Sequence, residues 1–451
     1  MKNTTCNKTY LNEIQMKRLK EIVNYARVHS EYYKKLYENV PVDFDSIEEL
    51  PTTNKSVLMS HFDDWVTDKA IKLSELSKFI ADTSLIGKMF LEKYHVAITS
   101  GTTGKSGIFV TNEQETKLSA KINKRSKFSW LGVLGIVKLF LRGIRIAAIT
   151  ATGEHYGFIS GIVFMKSENK FWKKRIKAIS IHEPISTIVK ELNSFQPTIL
   201  MGYASMISLL ASEQAAKRLR ISPLLIEVMS EKLTDDEFER VGKVFKVKPY
   251  QMYGATEIPF ASPLCKYGWY HMNTDLVIME PVDNKGEPVP DGILSHTLLI
   301  TNLANKTQPM IRYDIGDCIM LNPDRCKCGS PNPAFKVQGR SADVIIFINK
   351  LGDKVVVPSL MFITLIDKCV QGIEAFQIIQ TAPLTLEIRL QYSTEFDDKT
   401  KKQQWDVVVD ELTKLFKDRG LYGIGLVRSL EPPQRAKGGK LRMVIPYDKI
   451  R

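Results

Sequence analysis

From Thr99 to Gly107 the chain reads Thr-Ser-Gly-Thr-Thr-Gly-Lys-Ser-Gly, which gathers hydroxyls and glycines around a single lysine, Lys105. Such a composition suits phosphate. Glycines at 101, 104 and 107 let the backbone approach an anion closely, and Thr99, Ser100, Thr102 and Thr103 offer hydroxyl donors to phosphoryl oxygens. The preceding Tyr94–Ile98 reads as a short strand, so the loop leaves a sheet edge where backbone N–H groups converge. A Walker A loop needs four residues between its first glycine and Gly-Lys-Ser, whereas two separate Gly101 from Gly104, so a P-loop NTPase is excluded. Taken alone, the segment fits a phosphate-binding loop or a flexible Gly/Ser/Thr turn equally well.

The elements that must position this loop have two textures. Apolar residues at helical spacing (Leu19, Ile22, Val23, Ala26, then Tyr32, Tyr33, Leu36) predict an N-terminal helical region over 11–40. From about 94 to 340, strand-like runs at 144–149, 198–201, 225–229 and 298–301 are interspersed with amphipathic helices such as 185–195 and 235–245, the pattern of an α/β sheet covered by helices. Beyond Arg340 the chain changes to short strands at 344–348 and 355–357, a helix near 359–369, alternating strands to Tyr392 and a charged helix over 401–419. This is a small α+β unit of ordinary domain size. The expected domains are therefore 1–340 and 341–451.

Composition narrows the partners. Among 451 residues, 63 Lys and Arg against 50 Asp and Glu leave a charge of +13, which favours anions such as ATP, coenzyme A or an acidic carrier protein. Nucleic acid is not expected, because the basic residues are dispersed and no zinc-finger or RNP-like pattern occurs. The polar start, Met1–Cys6, lacks a signal core, so a cytoplasmic location is expected. The run from Phe128 to Phe140 is too short and too charged to span a bilayer, and it reads as a buried core segment, with a membrane-surface helix as the lesser alternative. Six cysteines in so long a chain do not make a disulfide framework.

Four further segments sharpen the first: Tyr253-Gly-Ala-Thr-Glu257, Ile311-Arg-Tyr-Asp-Ile-Gly-Asp317, Gln338-Gly-Arg-Ser-Ala-Asp343 and Arg435-Ala-Lys-Gly-Gly-Lys-Leu-Arg442. In this order they resemble the core motifs of the adenylate-forming superfamily of acyl-CoA synthetases, peptide-synthetase adenylation domains and luciferases. The phenylacetate–CoA ligase and CapK-like group is the nearest resemblance, through Val23–Tyr33, Leu50-Pro51, Lys55 and the Cys-Lys-Cys-Gly329 insertion. The likeness covers nearly the whole chain. It implies a large N-terminal α/β domain and a small mobile α+β C-terminal domain.

Activating an acid with ATP requires its oxygen to attack the α-phosphate in line, so a triphosphate, a metal ion and a ribose must be held together. By the resemblance, Thr99, Ser100, Gly101, Thr102, Thr103, Gly104 and Lys105 hold the departing phosphates. Tyr253 and Gly254 lie beside adenine and α-phosphate, and Thr256 donates to the α-phosphoryl oxygen. Glu257 serves Mg²⁺ directly or through water, Asp317 accepts from the ribose hydroxyls, and Arg340 orients toward ribose or phosphate. Singly, each has a plain alternative: Tyr253 as a core aromatic, Glu257 as surface charge, Asp317 as a turn former. Lys440 is the expected catalytic lysine, bridging carboxylate and α-phosphate, with Lys437 the runner-up because Gly438 stands where a Ser or Thr is usual. Asp343 matches the hinge, although Ala342 replaces the first of its paired acids.

Cys265, His271, Cys326 and Cys328 supply three thiolates and an imidazole, a common structural zinc set that some CapK-like relatives carry. Tyr156, Tyr203, Ala204, Met252, Pro259 and Phe260 are expected by family position to line an acid pocket suited to a flat aryl acid; an aliphatic acid also fits. His155 either orients the substrate carboxylate or is a structural histidine. The expected reaction is ATP- and Mg²⁺-dependent formation of an acyl-adenylate, release of pyrophosphate, and transfer to the thiol of coenzyme A or of a carrier protein's phosphopantetheine. The region 347–354 lacks the Gly-rich segment that shapes the pantetheine tunnel in relatives, which leaves the acceptor open. The expected small-molecule partner is a carboxylic acid, with no membrane span and a homodimer as an open option. Rival readings are a stand-alone enzyme loading a carrier protein and a non-catalytic nucleotide-binding scaffold.

Overall fold

Asn12 and Gln15 close a capping box on the helix Glu13–His29, satisfying N–H groups that a helix start leaves unpaired. Its apolar face is the predicted one, with Leu19, Ile22, Val23 and Ala26 all buried. Tyr33 follows on Glu31–Leu36, and its hydroxyl donates to the Pro309 carbonyl at 3.1 Å and accepts from the Ile311 N–H at 3.3 Å. The N-terminal helices are thereby fastened to the segment that leads into Asp317. The computed structural model describes residues 12–99, 107–231, 233, 235–259, 262–340, 344–349, 352, 354–369, 372–392, 396–436 and 439–447.

Two units emerge. The first gathers the chain up to Leu141, Ala151–Ala178 and Tyr250–Gln338. One of its sheets runs in the order Thr53–Asn54, Tyr313–Asp314, Thr297–Asn302, Val277–Val282, and another in the order Tyr270–His271, Ala334–Arg340, Asp317–Leu321. Every residue of Val277–Val282 and Thr297–Asn302 is buried, so this antiparallel pair is covered on both faces. The strands Tyr94–Ile98 and Ile108–Asn112 pair antiparallel, with Ile98 opposite Ile108.

The second unit holds Arg142–Thr150, Ile179–Pro249 and Gly339–Arg451. Strands Ile146–Thr150, Ile199–Tyr203 and Leu225–Met229 run parallel in that order, registered Ile146 to Ile199 and Ile199 to Leu225. Helices Ile185–Phe195 and Asp235–Phe245 have the bounds that periodicity predicts. The C-terminal part orders its sheet Gly425–Ser429, Thr385–Tyr392, Ile373–Ala382, Val444–Ile445, with helices Ser359–Cys369 and Asp398–Lys417. It has a core of its own in Ile345, Phe347, Phe362, Ile378, Ile388, Val408 and Leu412. The mixed α/β architecture is the one expected.

One expectation fails. The run Phe128–Phe140 is not a buried core segment: it lies in the helical stretch Glu113–Arg142, which is broken at Gly132, and of its last residues Val133, Leu134, Val137 and Phe140 are exposed while Leu139 is buried. Hydropathy reports what a segment would gain by being covered, and does not say that a neighbour covers it.

Candidate functional site

The hairpin Tyr94–Ile98/Ile108–Asn112 makes the neck of the phosphate-loop candidate. The Thr99 N–H donates to the Gly107 carbonyl at 3.0 Å, and the Gly107 N–H returns a bond to Thr99 Oγ1 at 2.8 Å. The two ends of the loop are thus cross-linked, and the Thr99 hydroxyl keeps its proton for another acceptor. Gly107 admits no side chain, since a Cβ there would sit 2.7 Å from the Phe109 ring. Ser100, Gly101, Thr102, Thr103, Gly104 and Lys105 lie outside the described residues, as do Phe260, Asp343 and Lys437, and the description of Arg340 stops at its backbone.

Beside the neck, the Ile98 N–H donates to the His155 carbonyl, and Tyr156 bridges to Ile98. His155 is buried, with Nε2 3.1 Å from the Asp82 carbonyl and its ring against Phe79, so it serves the structure. Tyr156 is buried and precedes Gly157, whose Cβ position lies 3.5 Å from Ala97 and 3.9 Å from Thr256. The start of the loop, one expected pocket residue and Thr256 therefore share one neighbourhood.

Two motifs 64 residues apart meet directly: the Tyr253 hydroxyl donates to Asp317 Oδ2 at 2.7 Å. Tyr253 ends the strand Tyr250–Tyr253, and its ring stands edge-on to Phe335, 5.4 Å between centroids. Asp317 is buried, and a carboxylate offers about four acceptor positions. Glu257 is buried nearby in sequence, accepting from the Tyr313 hydroxyl at 3.4 Å, while its carbonyl accepts from Asn302 Nδ2 at 3.0 Å. Gly254 is exposed, and Met252, Thr256 and Pro259 are half-buried.

The segment 311–317 is held by an ion pair that sequence reasoning missed. Arg312, at φ 45°, puts its buried guanidinium 3.0 Å from Glu280 and donates to the Leu50 carbonyl at 2.7 Å. Burial, partly offset by the Arg312 charge, pushes the Glu280 carboxyl up to about 7. Removing one partner of such a pair costs about 3–5 kcal/mol, because the other charge stays buried. The Leu50-Pro51 motif thus has a physical role, because the Leu50 carbonyl receives the arginine that shapes the Asp317 segment.

The cysteine cluster forms as expected. The ligand atoms of Cys265, His271, Cys326 and Cys328 all lie within 4.8 Å of one another. Cys265 Sγ is 3.7 Å from Cys326 Sγ, and Cys328 Sγ is 3.2 Å from His271 Nε2, spacings that suit the edges of a tetrahedron around zinc. His271 Nδ1 lies 3.0 Å from the Asn332 carbonyl, a bond that directs Nε2 at the thiols. Turns at Gly268 and Gly329, both at positive φ, bring the cysteines round. His271 pairs with Ala334 and Tyr270 with Phe335, on the sheet whose other edge begins at Asp317. The cluster therefore braces the aromatic wall behind Tyr253.

Lys440 belongs to the second unit and closes a tight hairpin. Arg435 bridges to Leu441, the Ala436 N–H donates to the Lys440 carbonyl at 3.0 Å, and Gly439 turns at φ 75°. Besides Arg435, whose Nη1 donates to the Gly439 carbonyl at 3.1 Å, the side chains of Glu231 and Gln377 hold this hairpin, and neither carries a sequence signal. Glu231 accepts from the Leu441 N–H at 2.6 Å, lies 3.5 Å from the Arg435 guanidinium, and is itself held by the Ser205 N–H at 2.9 Å. Gln377 donates to the carbonyls of Gln434 and Arg442 and accepts from the Gln434 N–H, clasping both legs. Tyr203 and Ala204 are buried at the start of the helix Ala204–Ala215. Burial holds Arg435 below its ordinary range against the pull of Glu231.

The chain matches no protein-family profile. It is similar to the phenylacetate-coenzyme A ligase of Thermus thermophilus, 23% identical over 97% of both chains. It is also similar to protein CapK of Staphylococcus aureus, 25% identical over 70% of this chain and 64% of that one. Its fold is that of 2-hydroxyisobutyryl-CoA ligase in the postadenylation state with 2-HIB-AMP: TM-score 0.68 at 18% identity, covering 97% of this chain and 89% of that one. These likenesses support the adenylate-forming superfamily, close to the phenylacetate–CoA ligase group. An open form of the same ligase with 2-HIB-AMP and CoA matches at TM-score 0.57 and 18% identity, covering 96% and 90% of the two chains. Among the described residues no helix is long and apolar enough to cross a membrane.

Proposed function

We propose that this protein is an acid–thiol ligase that uses ATP and Mg²⁺ to convert a carboxylic acid, of aryl type, to an acyl-adenylate with release of pyrophosphate, and then passes the acyl group to a thiol. The observation that carries this reading is the Tyr253–Asp317 hydrogen bond, which joins two separate motifs, with the buried Glu257 four residues beyond Tyr253. In this reading Asp317 takes the ribose hydroxyls, Glu257 serves the magnesium ion, and Thr256 donates to the α-phosphate. The loop 99–105 cradles the departing phosphates, Arg340 faces ribose or phosphate, and Asp343 is the hinge between domains 1–340 and 341–451.

Lys440 supplies the cation that offsets charge where the acid attacks phosphorus. The carboxylate oxygen forms the new bond to the α-phosphorus while the bond to pyrophosphate breaks; thiolate then displaces AMP from the acyl carbon. Tyr156, Tyr203, Ala204, Met252, Pro259 and Phe260 line the acid pocket. The Cys265, His271, Cys326 and Cys328 set holds one structural zinc ion, its donors close-set and its histidine oriented by Asn332. The acceptor is coenzyme A or a carrier-protein phosphopantetheine. ATP–pyrophosphate exchange across aryl, arylacetic and fatty acids tests the proposal without needing the thiol. Exchange confined to one acid class is expected, and no exchange with any acid despite measurable ATP binding would favour a nucleotide-binding scaffold.

A further inference from the structure

The helical stretch Glu113–Arg142 breaks at Gly132, whose φ of 63° and ψ of 176° belong to a region essentially restricted to glycine. Beyond the break the sequence is Val-Leu-Gly-Ile-Val-Lys-Leu-Phe-Leu-Arg, apolar on nearly every side. Leu139 is buried, while Val133, Leu134, Phe140 and Leu141 are 78%, 77%, 67% and 81% exposed, with Val137 at 49%. These exposed positions recur at intervals of three and four, so they form one stripe along the outward face.

A helix that is apolar all round belongs in a protein core or in lipid, and among the described residues this one has protein on one side only. Its ten residues are too few to span a bilayer. The charge around the stripe selects the surface it meets. From Thr116 to Gly153 the chain contains eight Lys or Arg and no Asp or Glu, and Lys138 and Arg142 rise from the exposed helix itself. A second copy would set these cations against their own kind, whereas an anionic bilayer receives both the apolar side chains and the charge.

We infer that residues 133–142 dock this protein on an anionic lipid surface, with Leu134, Phe140 and Leu141 entering the acyl boundary and Lys138 and Arg142 meeting headgroups. The test is sedimentation of the full-length protein with vesicles of equimolar phosphatidylglycerol and phosphatidylcholine, against vesicles of phosphatidylcholine alone. Binding to the anionic vesicles, weakened by salt, is expected. The double variant Leu134→Ser/Leu141→Ser should bind at least about tenfold less at an unchanged melting temperature, since both side chains are solvent-facing. A second variant, Lys138→Glu, should weaken binding to anionic vesicles alone. Equal binding to both vesicle types, no binding, or undiminished binding by the double variant would overturn the inference. A concentration-dependent dimer in light scattering that the double variant abolishes would also overturn it, assigning the stripe to a second copy.

Discussion

The wall around Tyr253 and Asp317 and the hairpin around Lys440 are both fixed by hydrogen bonds, but of different kinds. At the wall, side chains bond to side chains among buried aromatics, with the cysteine–histidine cluster behind them. At the hairpin, two side chains, Glu231 and Gln377, grip mostly backbone groups of a turn that contributes little core of its own. The wall is built to persist and the hairpin to be held in register by a few polar contacts. The contrast is the one the proposed reaction needs, in which nucleotide binds at the wall and Lys440 supplies one cation.

Breaking the wall at its support should have the largest effect. Structural zinc contributes on the order of 10 kcal/mol in small zinc domains. Removing it by chelation, or by Cys328→Ser, is expected to lower the melting temperature by more than about 10 °C, read by calorimetry beside metal analysis. Substoichiometric metal in the native protein, with Cys328→Ser melting normally, would separate the wall from any metal. Next in size, Tyr253→Phe deletes one bond to a carboxylate and is expected to cost about 2 kcal/mol, read as a lower urea midpoint at unchanged slope.

At the hairpin, Glu231→Gln keeps an acceptor for the Leu441 N–H but loses the attraction to Arg435. About a fivefold fall in the adenylation rate is expected, with the KM for ATP within about twofold and melting unchanged. A loss of ATP binding in this variant would erase the distinction between the regions. The smallest effect concerns the strand that leads into Thr99. The Tyr94 hydroxyl and the Ala70 N–H, with Lys93, hold the Asp68 carboxyl at about 2. A depressed carboxyl contributes stability above its unfolded value near 3.9 and loses it as pH falls toward about 2. Asp68→Asn should therefore flatten the acid limb of the stability profile between those values and lower stability by a constant amount at neutral pH, read by urea unfolding across pH.

Much of this was legible where the signal is local. Leu225–Met229, Ile185–Phe195 and Asp235–Phe245 have the bounds their periodicity predicts, because strand and helix periods are properties of neighbouring residues. The clustering of Cys265, His271, Cys326 and Cys328 was legible because cysteine is rare and its spacing is informative. Glu231 and Gln377 were not, since their partners lie 210 and 57 residues away and nothing near them in sequence marks the contact. Arg312 stood inside a recognised motif without a role until Glu280 and Leu50 came beside it. The exposed stripe at 133–141 misled for the opposite reason: its local signal was strong, but among the described residues no packed neighbour covers it.

The division between wall and hairpin is tested most directly by Lys440→Ala, measured at once for MgATP binding by calorimetry and for ATP–pyrophosphate exchange with the acid that supports exchange in the native protein. The account predicts ATP affinity within about twofold of native and exchange reduced by about 100- to 1000-fold, the loss expected for a group that stabilises the transition state alone. Exchange at the native rate would contradict it, and would move the catalytic role away from Lys440.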